Sequence, residues 1–213
     1  DKMLAFIASP DKKKIAYFMF GAEGEYCKDR NKGFVYDIAT RVSEEINAQE
    51  IINICGAVSS KPDHFSPKGR FVYIYTSGPT EGFLNTLYDT RGMKIFNTVE
   101  EASASENILW NREGNVYQGQ YLVYGENEEY VVYLTNSKND CYVDNKEVIG
   151  CIYDTVIIRN IDTGKSKIIT TSNHQYSIEL REIKDGNIII DKFQKSSEEA
   201  EQETIKNISQ YLP

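Results

Sequence analysis

Short apolar runs separated by tight polar turns recur along the chain, each run having the length of a strand rather than a helix. Residues 4–8 form the first run, Ser9-Pro10-Asp11-Lys12-Lys13-Lys14 the turn, and residues 15–20 the second run. A third strand is predicted over 34–38 and a weaker fourth over 41–46. The pattern then restarts. A strand is predicted over 51–58, followed by the turn Phe65-Ser66-Pro67-Lys68-Gly69 and strands over 70–75, 83–88 and 93–99. A third copy is read at 108–110, turns at 111–115 and continues through 116–124. Residues 130–134 and a cysteine-bracketed segment then intervene before strands at 155–161 and 167–170, joined by Asp162-Thr163-Gly164-Lys165. A partial fourth copy spans 176–183 and 188–193 around Lys184-Asp185-Gly186-Asn187.

Recurrence at this spacing predicts an all-β fold of about four short antiparallel sheets forming one domain over 1–213. The repeat units are 1–47, 48–100, 105–171 with an insertion at 125–150, and 172–194. The period changes at the end of the chain. Ser196 and Glu199 have capping-box spacing, and Ala200, Ile205, Ile208 and Leu212 recur at helical intervals, so a C-terminal amphipathic helix is expected over 196–211, covering a sheet edge.

Ser9-Pro10-Asp11-Lys12-Lys13-Lys14-Ile15-Ala16-Tyr17 and Phe65-Ser66-Pro67-Lys68-Gly69-Arg70-Phe71-Val72-Tyr73 resemble the blade motif of TolB-like and PD40 propeller repeats, which are WD40-like. Downstream, Tyr36-Asp37-Ile38-Ala39-Thr40 and Arg159-Asn160-Ile161-Asp162-Thr163-Gly164 are similar to that family's third strand and its turn. The resemblance implies a propeller-like array, either a four-bladed ring with a degenerate last blade or a fragment of a longer propeller, with a β-sandwich of similar hairpins as the alternative; such blades recognise partners more often than they catalyse, although fold alone does not assign function.

Composition narrows the partners. Fifteen Tyr and nine Phe accompany one Trp, a set suited to half-buried pleated surfaces. A net charge of −8 argues against nucleic acid, whose binding depends on Lys and Arg neutralising phosphates. No stretch is long and apolar enough to span a bilayer, and Asp1 opens the sequence without a basic or apolar leader, so a signal peptide or membrane anchor would lie outside these residues. The four cysteines, Cys27, Cys55, Cys141 and Cys151, contain no Cys-x-x-Cys pair. Cys141 and Cys151 bracket a polar stretch and would face each other across a hairpin. An even count therefore fits two disulfides and an extracytoplasmic protein: periplasmic, cell-surface (a lipoprotein) or secreted.

Candidate chemistry is sparse. The sequence has no nucleophile elbow, phosphate loop or dinucleotide fingerprint. His64 beside Asp63 and near Ser66 is read as a loop histidine, and no catalytic residue is assigned. Asp144 and its neighbours offer oxygen ligands without the spacing of an EF-hand loop, so neither a metal nor a cofactor is expected. Tyr130, Tyr133, Tyr142, Asp144 and Tyr153 are the binding candidates, since Tyr is enriched where proteins touch partners. The function expected is a non-catalytic binding or scaffolding domain recognising a protein or glycan. The alternatives are an accessory propeller segment of a larger hydrolase and the sensor domain of a membrane-anchored regulator.

Overall fold

The structure, a computed structural model, describes residues 2–20, 31–46, 59–78, 82–92, 94–96, 121–135, 141–144, 147–151, 153–173, 175–194, 200–205 and 207–213. The chain is all-β, a propeller-like series of four short antiparallel meanders with one extra hairpin among the described residues. Sheet one is β1 (Lys2–Ala8), β2 (Lys14–Phe20), β3 (Asn31–Asp37) and β4 (Val42–Ile46). Sheet two is β5 (Ser59–Phe65), β6 (Phe71–Gly78), β7 (Gly82–Asp89) and β8 (Lys94–Phe96). Next come β9 (Tyr121–Tyr124) and β10 (Tyr130–Thr135), then a separate hairpin of β11 (Cys141–Asp144) and β12 (Glu147–Cys151). β13 (Thr155–Asn160) and β14 (Ser166–Thr171) complete sheet three with β9 and β10. Sheet four is β15 (Tyr176–Lys184), β16 (Asn187–Gln194) and β17 (Ala200–Ile205). The chain gathers into two compact units, Asp1–Gln118 with sheets one and two, and Gly119–Pro213 with the rest.

Alternation along each second strand sends successive side chains to opposite faces. The face carrying Ile15 and Tyr17 in sheet one, with its repeat equivalents elsewhere, is called the front. In the first unit the back of sheet one, Ala16, Phe18, Val35 and Ile46, packs on the front of sheet two, Phe65, Val72, Ile74 and Tyr88. In the second unit Val132, Val156 and Ile158 from the back of sheet three pack on Ile178, Leu180, Ile188 and Ile190 from the front of sheet four. Burial of these aliphatic and aromatic groups, at roughly 25 cal/mol per Å², is what holds each pair of sheets together.

Gly33 lies opposite Phe18 in the ladder, and a Cβ built there would stand 2.7 Å from Phe18 Cζ. The ring occupies the space that a side chain would need, and its own burial leaves it nowhere to move. Gly33→Ala is expected to cost about 1–3 kcal/mol by overpacking, read as a lower urea midpoint.

One expectation is corrected, and two lie outside the described residues. The C-terminal helix over 196–211 is absent: residues 200–205 are the edge strand β17, and Ile208–Tyr211 is a single 3₁₀ turn, with 195–199 outside the described residues. Pairing with β16 satisfies backbone groups that a helix would have had to satisfy within itself, and places Ile205 opposite Ile188 at the core. Glu203 in the same strand meets Lys192 in an ion pair. The strand expected over 51–58 lies outside the described residues, and the strand preceding the Ser66 turn is the polar β5, because a short turn requires its partner immediately upstream. Pro62 is tolerated there, since β5 is an edge strand. Sheet three turns between β9 and β10 at 125–129, the turn expected at 111–115 lies outside the described residues, and β10 is an integral strand of sheet three.

Candidate functional site

The turns between first and second strands repeat one hydrogen-bond pattern. Ser9 N–H donates to the Lys14 carbonyl and Ser66 N–H to the Phe71 carbonyl, both at 2.9 Å. The serine hydroxyls accept from Lys14 N–H and Phe71 N–H, again at 2.9 Å. Each turn passes through a left-handed residue, Lys12 at φ 58° and Gly69 at φ 78°. Asp11 accepts from the Ser9 hydroxyl at 2.6 Å and from Lys13 N–H at 3.1 Å, which holds its carboxyl below the ordinary range.

Sheet three builds the same corner without serine. Glu128 takes the left-handed position at φ 54°, and Gly125 stands where Ser9 and Ser66 stand. Gly125 has φ +107°, and a Cβ there would lie 2.5 Å from a Glu129 carboxylate oxygen, while Glu129 also accepts from Asn127 N–H at 2.8 Å. The carboxylate thus fills the place of the missing serine side chain. Gly125→Ser restores the motif in sequence, yet it is expected to destabilise the second unit by about 1–2 kcal/mol because only glycine accepts this backbone without strain. A rise in thermal midpoint on that substitution would refute the assignment.

The turns after each third strand match as well. The amides of Ile38, Thr90 and Ile161 donate to the carbonyls of Lys13, Arg70 and Glu129 at 2.8–2.9 Å. Asp37, Asp89 and Asn160 hold the equivalent position, with side chains accepting from Thr40, Arg91 and Thr163 amides. In sheet two this position becomes an internal ion pair. Arg70 Nη2 lies 2.8 Å from Asp89 Oδ2, both side chains being buried, and the guanidinium sits 5.1 Å from the Phe71 ring centroid. The Thr90 hydroxyl donates to the Arg70 carbonyl at 2.8 Å and accepts from Lys14 Nζ at 2.6 Å, fastening sheet one to sheet two.

His64 Nδ1 is 2.8 Å from Asp63 Oδ2, and its ring stacks on Tyr73 at 4.1 Å. Both members are exposed, whereas Ser66 is buried with its hydroxyl accepting from Phe71 N–H, so the three do not form a nucleophilic arrangement. Among the described residues, no group of three His, Cys, Asp or Glu side chains could hold a metal ion, and no helix is long and apolar enough to cross a membrane.

The binding candidates are dispersed. Tyr130 packs on the core between sheets three and four, with its ring 6.4 Å from that of Tyr124. Tyr133, three positions on, points to the opposite face and is only 2% exposed. Tyr153 is half-buried, and its carbonyl accepts from Ile178 N–H at 2.6 Å. Tyr142 and Asp144 lie on β11, opposite Gly150 and Glu147. Cys141 is directly opposite Cys151 at the open end of the hairpin. Cys27 and Cys55 lie outside the described residues.

Burial raises the phenols of Tyr88 and Tyr133 from 10 to about 12, and Glu44 and Asp89 add to the effect at Tyr88. The folded chain therefore keeps them neutral where the unfolded chain ionises them. Their contribution is complete below pH 10 and is lost as pH rises from 10 towards 12, by about 2 kcal/mol for each phenol. Tyr88 Oη is buried and makes no hydrogen bond. Tyr88→Phe is expected to gain about 1 kcal/mol and to blunt the alkaline loss, as urea unfolding at pH 9 and pH 11 would show.

Antiparallel meanders, three of them carrying these repeated corners, define the class of the protein as all-β and propeller-like. Neither a protein-family model nor a curated protein sequence matches the chain. Among solved structures it is similar to TolB from Acinetobacter baumannii, at 14% identity and a TM-score of 0.32 over 93% of this chain and 44% of that one. It is also similar to the β-propeller domain of the Trilobed protease from Pyrococcus furiosus, at 13% identity and a TM-score of 0.35 over 96% of this chain and 68% of that domain. The chain spans less than half the length of that TolB.

Proposed function

We propose that this chain is a non-catalytic, extracytoplasmic binding or scaffolding domain that recognises a protein or glycan through the β11–β12 hairpin. The observation that carries the reading is the hairpin itself, a two-stranded sheet inserted between neighbouring strands β10 and β13 and paired with neither. Recognition commonly resides on such projections from a rigid β scaffold. Tyr142 and Asp144, two of the binding candidates, lie on β11.

An isolated two-stranded ribbon is marginal in water, so a contact element of this kind needs a fastening. Cys141 and Cys151 are cross-strand partners, and the Cα separations of antiparallel pairs, about 4.5–5.5 Å, lie within the range a disulfide spans. A Cys141–Cys151 disulfide fits an oxidising compartment, where the two thiols lose their hydrogens to a thiol–disulfide exchange partner. Alkylation before and after reduction, followed by peptide mapping, is expected to recover the two cysteines in one linked species. Alkylation of both without reduction would remove the support for that compartment.

Deleting residues 137–149 tests recognition directly. Binding on glycan and protein arrays is expected to fall at least tenfold while the thermal midpoint of the remaining scaffold is kept. Undiminished binding would sink the assignment to the hairpin.

A further inference from the structure

The turns of the first unit gather positive charge on an acidic chain. Residues 9–14 and 37–42 form the turns at one end of sheet one, and 66–70 and 89–92 those of sheet two. The two sets adjoin, since a Cβ built on Gly69 would lie 3.2 Å from Ser9 Cβ, and Lys14 Nζ donates to the Thr90 hydroxyl at 2.6 Å. Lys12, Lys13, Lys14, Arg41, Lys68 and Arg91 stand there, all exposed except the half-buried Lys14. With the buried Arg70–Asp89 pair cancelling, Asp11 and Asp37 are the carboxylates set against them, which leaves a surplus of four positive charges. The chain as a whole carries −8, so its remainder is more acidic than the whole.

Both turn carboxylates are tied into their own turns. Asp11 accepts from the Ser9 hydroxyl and Lys13 N–H, with Lys13 Nζ 3.8 Å away, and Asp37 accepts from Thr40 N–H at 2.9 Å and its hydroxyl at 3.1 Å. Beyond the turns, Asp63 is paired with His64, and Glu44 and Glu45 lie further along β4. Turn geometry does not demand cations, because the corresponding turns of sheet three carry Glu126, Glu128, Glu129 and Asp162 against Lys165. Lys12 and Arg41 hold φ 58° and 59°, the left-handed conformation that Gly69 and Gly164 take at their respective equivalents in sheets two and three. Two cations thus sit where glycine is the easier residue. Ile38 and Val42, on either side of Arg41, are 43% and 52% exposed.

We infer that this end of the first unit is a docking surface for a short acidic segment of a protein partner, its carboxylates on Lys12, Arg41, Lys68 and Arg91 and an apolar side chain against Ile38 and Val42. Charge complementarity selects an anion. The exposed isoleucine and valine select one that also carries apolar groups, which an acidic glycan lacks. The acidic remainder of the chain selects a short one. Surface charges act over about 8 Å at physiological ionic strength, so a segment confined to the turns meets the cations alone. A nucleic-acid duplex or an anionic bilayer would extend its charge over the acidic surface as well.

Fluorescence anisotropy of a short labelled peptide of repeated Glu-Glu-Leu, titrated with the chain up to about 500 μM, tests the surface. Saturable binding that weakens by about tenfold as salt rises from about 50 to about 300 mM is expected. The double variant Lys12→Gly/Arg41→Gly is expected to weaken binding about threefold or more at an unchanged thermal midpoint, since both backbones suit glycine. Lys32→Gln, an exposed cation at the far end of β3, should leave binding as it is. No saturable binding overturns the inference, as does a double variant that binds like the wild type. Tighter binding of heparin, or of phosphatidylglycerol vesicles, than of the peptide overturns the protein partner in favour of a glycan or a membrane. The β11–β12 hairpin takes no part in these readings, so their outcome is separate from that of its deletion.

Discussion

Arg70→Met is expected to destabilise the first unit by about 3–5 kcal/mol, a loss on the scale of emptying a core position. The methionine fills most of the volume that the arginine stem occupied, so the loss is not a cavity effect. It arises because Asp89, only 5% exposed, would be left in a buried site without the guanidinium that compensates it. Arg91 N–H, which donates to Asp89 at 2.9 Å, cannot replace a cation. The double variant Arg70→Met/Asp89→Leu should recover a substantial part of the loss, since removing both buried charges also removes the cost of desolvating them. Urea unfolding of the two single variants and the double variant checks this. A cost below about 1 kcal/mol for Arg70→Met would place the pair among solvent-screened ion pairs, contrary to its burial.

Ile190→Ala is expected to cost about 2–5 kcal/mol in the second unit, whereas Ile189→Ala should cost less than about half as much. The two residues are adjacent and chemically identical. Ile190 faces the core between sheets three and four with no exposed surface, while Ile189 is half-buried on the other face beside polar groups. The contrast reads the register of β16 directly, since a one-residue slip would exchange the two costs. Equal losses on thermal unfolding would contradict the face assignment.

Several elements were legible in the sequence because their signals are local. The Ser-Pro turns at 9–14 and 66–71 announce themselves through residues that cap their own backbone, and strands β3, β7, β13 and β16 through short apolar runs. β5 was not legible: Ser59–Phe65 is polar and contains Pro62, and it is a strand only because β6 offers it a ladder. The corner at 125–129 was equally hidden, since its glycine and glutamates carry no Ser-Pro mark and the carboxylate of Glu129 takes over the role of a hydroxyl. At the C-terminus, helical spacing of a few apolar residues was outweighed by the unpaired edge of β16. Of the candidate site, the facing of Cys141 and Cys151 followed from their bracketing of a hairpin-forming stretch. The grouping of the tyrosines did not follow, because whether Tyr130 and Tyr133 share a face depends on the strand they occupy.

By itself, then, the sequence determined the all-β class, the repeat, and most strands and tight turns, because hydrophobic alternation and side-chain-to-backbone hydrogen bonds act over a few residues. Tertiary structure alone decided which faces are buried, which polar segments become edge strands, and that Arg70 and Asp89 meet away from water. Those outcomes depend on contacts between residues distant in sequence, where a ladder partner or a facing sheet outweighs local preference.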